Sequence, residues 1–112
     1  MRHLFLAAIM LAASTLVSAE GKPFPVPSDA RATYFILEVS GNWPDRTIVT
    51  KRIGSSGTSY SKRLYDCSNA TVKYLGTGDT MAEMGNSKPD PKMSPIVSQS
   101  IADYVGRQAC IR

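Results

Sequence analysis

The sequence predicts an α+β domain: a small antiparallel sheet of about four strands, packed by a C-terminal helix and closed by one disulfide. Three observations carry this. Runs rich in β-branched and aromatic residues recur between residues 32 and 76, separated by short turns of Gly, Ser, Asn and Asp. From Ser100 onward the pattern changes to a helical period, with Ile101, Val105 and Ala109 on one stripe. The chain has two cysteines, Cys67 at the end of a strand-like run and Cys110 two residues from the C-terminus.

The beginning of the chain sets the compartment. Met1-Arg2-His3 is a short positive start, Leu4 to Val17 is apolar but for Ser14 and Thr15, and Val17-Ser18-Ala19 is a small-residue cleavage signature. Residues 1–19 therefore read as a signal peptide, with Glu20 as the mature N-terminus. An apolar run of about 14 residues is short of the roughly 20 that a spanning helix needs. No later segment is apolar enough either, so no membrane span is expected after cleavage. In an oxidising compartment the two cysteines read as a Cys67–Cys110 bridge rather than a metal site or a reactive thiol. Closing a loop of about 44 residues stabilises the fold by roughly 4 kcal/mol on the chain-entropy account.

Residues 20–31 carry Pro23, Pro25 and Pro27 in alternation and read as an extended, unpaired arm, leaving 32–112 as the single domain. Ala32 to Val39 is almost continuously apolar and reads as an inner strand. Ser40-Gly41-Asn42 breaks it, and Trp43 at the following turn is expected to fold over the core. Thr47 to Ile53 and Thr58 to Cys67 flank Gly54-Ser55-Ser56-Gly57 as a β-hairpin. Pairing Ile53 with Thr58 sets Lys51 opposite Tyr60 with Lys62 on the diagonal, and puts Arg52 and Arg63 on the other face. Ala70 to Gly76 is a further strand. Thr80 to Met84 reads as a short edge strand, and Gly85 to Ser94, with two prolines, as an exposed loop. Ser100 is a good N-cap for the last helix, with Asp103 at the capping-box position; Gly106 weakens that helix.

Composition narrows the chemistry. The only histidine, His3, leaves with the signal peptide, and the cysteines are expected to be oxidised. Histidine-based nucleophilic systems and histidine or thiolate metal sites are thereby removed, so no metal or cofactor is expected and no catalytic residue is singled out; carboxylate chemistry on nine scattered acidic residues is what remains. Losing Arg2 leaves 12 basic residues against nine acidic ones, a net charge of 12 − 9 = +3. This mild excess favours anionic partners such as envelope polymers or acidic protein surfaces and is too weak to argue for nucleic acid. Gly76-Thr77-Gly78-Asp79-Thr80 lacks the ending of a phosphate loop and reads as a plain turn. Asp66 is expected to satisfy backbone donors or to pair with Arg63. Tyr60, Tyr65 and Tyr74 form either a sugar-stacking surface or half-buried sheet positions.

Lys62-Arg63-Leu64-Tyr65-Asp66-Cys67, then Lys73-Tyr74-Leu75-Gly76, a polar loop, and a helix opened by Ser100 and closed by Ala109-Cys110 together resemble small exported bacterial proteins grouped around surface-adhesin protein E. The resemblance is one of layout over residues 47–111, and the tryptophan such proteins often carry before the last helix is replaced here by Met93-Ser94-Pro95-Ile96. It implies a small antiparallel sheet packed by a C-terminal helix, binding to host proteins in some members, and no catalytic residues.

The expected function is that of an exported envelope or surface module, periplasmic or at the cell surface, which binds an anionic polymer or a protein without catalysis. An inhibitor or immunity-type protein and a carboxylate-dependent hydrolase are the alternatives. Between Asp45 and Asp66 the chain holds five cations and no carboxylate. Lys51, Arg52, Tyr60, Lys62 and Arg63 are accordingly the candidate binding residues, with edge-strand protection as the competing role for the lysines.

Overall fold

A computed structural model describes residues 21–112; the signal peptide expected at residues 1–19 and its cleavage point lie outside the described residues. The described residues form one antiparallel sheet whose six strands pair in sequence order. Four match the expected runs: β2 (Thr33–Ser40), β3 (Asp45–Gly54), β4 (Gly57–Asp66) and β5 (Thr71–Gly78). The hairpin register is the expected one, with Ile53 opposite Thr58 and Lys51 opposite Tyr60. Ser55-Ser56 make the turn, and Gly57 closes it at a φ of +131°, a conformation that side chains rarely adopt.

The count of about four strands is corrected by two short edges. β1 (Lys22–Phe24) lies in the supposed unpaired arm, where Pro23 pairs with Phe35 and Phe24 with Tyr34. Proline suits an edge strand, where its missing N–H deprives no neighbour. The apolar residues between the prolines decide the matter: Phe24 and Val26 are buried, and the Phe24 ring lies 5.9 Å from that of Tyr34. A 3₁₀ turn, Pro27–Asp29, then leads into β2. At the far edge, β6 (Ser94–Pro95) pairs with Thr71 and Val72.

A second correction concerns Thr80 to Met84. This segment is not an edge strand but leads into helix α1 (Met81–Asn86). Thr80 Oγ1 accepts from the Glu83 amide at 3.1 Å, and Glu83 Oε1 accepts from the Asp79 amide at 2.9 Å. Two otherwise orphaned amides are thus satisfied, and the turn is nucleated. Met84 is buried, and a Cβ built at Gly76 would strike its carbonyl, so β5 needs glycine there for the helix to sit against it.

The other face is closed by helix α2 (Ile101–Ala109). Ser100 caps it, accepting from the Asp103 amide at 3.2 Å, while Asp103 Oδ2 accepts from the Gln99 amide at 2.7 Å. Val105 and Ala109 of the expected stripe are fully buried, together with Ile48 and Tyr65 of the sheet. Gly106 has a packing role: a Cβ there would lie 2.7 Å from Tyr65 Cε2. The Tyr65 hydroxyl donates to the Ala102 carbonyl at 2.6 Å, so one ring both fills the core and ties the helix down. At the C-terminal end Arg46 Nε donates to the Ala109 carbonyl at 3.0 Å and Trp43 Nε1 to that of Cys110 at 3.3 Å, satisfying carbonyls that a helix end leaves without partners. The Cys67–Cys110 disulfide, with Cα atoms 5.7 Å apart, fastens this end to β4. Among the described residues no helix is long and apolar enough to cross a membrane.

Candidate functional site

Helix α2 covers only part of its sheet face. Strand alternation places Tyr34 on β2, Thr50 and Arg52 on β3, and Ser59, Ser61 and Arg63 on β4 in one continuous field, with Tyr34 opposite Arg52, Thr50 opposite Ser61 and Arg52 opposite Ser59. A bulge in β5, where Leu75 is passed over, brings Tyr74 opposite Arg63. Ile101 at the start of α2 and Ser28 and Asp29 of the 3₁₀ turn complete a cleft of about 430 Å³ lined by these residues. That volume falls within the roughly 300–1,000 Å³ range of small-molecule sites.

One side of the cleft is a closed network. Arg52 Nε donates to Asp29 Oδ2 at 2.8 Å and Arg52 Nη2 to Asp29 Oδ1 at 3.3 Å, while the Tyr34 hydroxyl donates to Oδ2 at 2.7 Å. The Arg52 guanidinium, and after it the Tyr34 hydroxyl, holds the Asp29 carboxyl below the usual carboxylate range. Burial, reinforced by the bond to Asp29, pushes Tyr34 up to about 12. The same bond to Asp29 raises Arg52 further above its already high value.

The floor is different. Arg63 is 3% exposed, yet its partners are neutral. Its Nη1 donates to Thr50 Oγ1 at 3.1 Å and its Nη2 to the Tyr74 hydroxyl at 3.0 Å, and its Cζ lies 4.7 Å from the Tyr74 ring centroid. Nε is buried and has no hydrogen-bond partner among the described residues. Among the described residues the ion pairs are Arg52–Asp29 and Arg107–Asp103, so Arg63 faces no carboxylate. Two guanidinium groups against one carboxylate leave the cleft with a net charge of 2 − 1 = +1.

The structure divides the expected binding set. Arg52 and Arg63 line the cleft, whereas alternation puts Lys51, Tyr60 and Lys62 on the opposite face. Tyr65 is fully buried under α2, and Tyr74, 39% exposed, is the tyrosine of the expected trio that lines the cleft. Asp66 accepts from the Ser68 and Asn69 amides at 3.1 and 3.2 Å, capping the turn after β4 rather than pairing with Arg63. Sequence reasoning missed Asp29, Tyr34, Thr50, Ser59 and Ser61. A signal for the last three was present: Thr50-x-Arg52 facing Ser59-x-Ser61-x-Arg63 is a polar field at positions that alternation assigns to the core-facing side. Among the described residues no group of three His, Cys, Asp or Glu side chains gathers as a metal site. No family model, curated protein or solved structure matches the chain.

Proposed function

We propose that this chain is an exported bacterial envelope or surface protein that acts as a non-enzymatic binding module, and that an anionic group of its partner enters the cleft at Arg63. The observation that supports this reading is the buried guanidinium that meets no counter-charge among the described residues. Withdrawing such a group from water costs several kcal/mol unless charge or hydrogen bonds compensate, and here Thr50, Tyr74 and the Tyr74 ring compensate only in part. A partner's anion would complete the set. The disulfide fits an oxidising compartment, in keeping with export.

The test is capture of acidic and neutral envelope polysaccharides on the immobilised, oxidised protein over a salt series. Binding of the acidic polymers that weakens with salt and is lost in Arg63→Gln is expected. Equal capture of neutral polymers, or binding indifferent to Arg63→Gln, would overturn the reading. The register also sets Lys51 and Lys62 on one diagonal of the opposite face, roughly 7 Å apart, where a polymer could make a second contact.

A further inference from the structure

The geometry points to a carboxylated sugar, a hexuronate-type unit of a glycan, as the ligand of the cleft. This rests on the anion-binding reading above and narrows it to one chemical class. The charge comes first. A net +1 matches a monoanion, and Asp29, held ionised at the rim by Arg52, opposes the second negative charge of a phosphate. A carboxylate is also planar and matches the fork of a guanidinium, and among the described residues Arg63 spends one N–H of Nη1 on Thr50 and one of Nη2 on Tyr74, which leaves a second N–H on each.

The lining then selects the body attached to that carboxylate. Among the described residues Ile101 is the one aliphatic side chain lining the cleft, so a fatty-acid chain or an apolar ring would find little to bury against. Ser28, Ser59 and Ser61 instead present hydroxyls, which both donate and accept. The Asp29 carboxylate adds acceptor capacity beside them. Donors and acceptors distributed around a single cationic floor suit a ligand that is itself a ring of hydroxyls carrying one carboxylate. A free carboxylate alone would leave most of the wall unused.

The experiment is isothermal titration of the oxidised protein with D-glucuronate, D-glucose, acetate and inorganic phosphate at low salt. Glucuronate is expected to bind in the millimolar range, with each of the other three weaker by about tenfold or more: glucose forfeits the charge-assisted hydrogen bond to Arg63, while acetate and phosphate forfeit the hydrogen bonds of the hydroxyl wall. Arg63→Gln should weaken glucuronate by a similar factor. If that variant does not fold, Ser61→Leu, which fills the cleft and keeps the charge, should do the same. Acetate binding as tightly as glucuronate would show that the hydroxyl wall contributes nothing and would overturn the sugar assignment. Phosphate binding as tightly would overturn it too, while leaving the anion site standing. A panel in which no anion binds would overturn both.

Discussion

The two halves of a single sheet face have opposite solutions to the same problem. Under α2, the face carries Ile48 and Tyr65, is fully buried, and is fastened by a disulfide and by the Tyr65 bond to the helix backbone. A few residues further along the same strands it carries Thr50, Ser61 and Arg63, with a cleft above them instead of a helix. The closed half obeys the rule that an apolar face must be covered. The open half breaks it with a buried cation, and departures of this kind concentrate where a protein does something other than fold.

The closed half should show the largest effects. Replacing Cys67 and Cys110 by serine should lower the melting temperature by well over ten degrees, from roughly 4 kcal/mol of lost constraint at about 4–8 °C per kcal/mol. A loss of only a few degrees would mean that packing alone holds α2. Next comes Gly106→Val. Its side chain must enter space occupied by the Tyr65 ring, and a loss of about 2 kcal/mol in denaturant unfolding is expected. Unchanged stability would show that the helix can shift on the sheet.

Charge and pH effects at the open half are smaller. Asp29 titrates below its unfolded value, so its contribution is present above about pH 4 and is lost as pH falls through the lowered value. Tyr34 is raised to about 12, so its contribution is present below about pH 10 and is lost as pH climbs toward that value. Tyr34→Phe should therefore flatten part of the alkaline fall in stability; a curve parallel to the parent's would exclude Tyr34 as its source. On the far face, Lys51→Glu with Lys62→Glu should change stability by no more than about 0.5 kcal/mol. At low salt it should leave glucuronate binding intact, since both residues lie across the sheet from the cleft. Loss of glucuronate binding in that variant would move the site to the other face.

Much of this comparison was legible in the residues. The hairpin register followed from a short loop and period-two alternation, and α2 followed from Ser100, Asp103 and the stripe of Ile101, Val105 and Ala109. Propensity misled where tertiary packing overrode it. The prolines of residues 20–31 suggested an unpaired arm, but Phe24 and Val26 between them have a core to fill. Thr80 to Glu83 held a capping box that a strand reading passed over. Gly106 looked like a weakness of the helix and is its seat on Tyr65. The cleft was harder to foresee because Asp29, Tyr34 and Tyr74 come from separate elements, and the β5 bulge that brings Tyr74 opposite Arg63 has no marker in the local sequence.

Arg63→Met tests most directly the claim that this arginine is kept for a ligand and not for the fold. Methionine fills similar space without a charge to desolvate, and an unpaired buried charge costs several kcal/mol that an apolar side chain does not. Melting of the parent and the variant, each with and without glucuronate, should show a variant at least as stable as the parent in the absence of ligand. The ligand-induced rise in melting temperature should be present in the parent and gone in the variant. A variant that melts more than ten degrees lower, yet keeps the same response to glucuronate, would contradict the account: Arg63 would then be a structural residue, and the cleft above it no binding site.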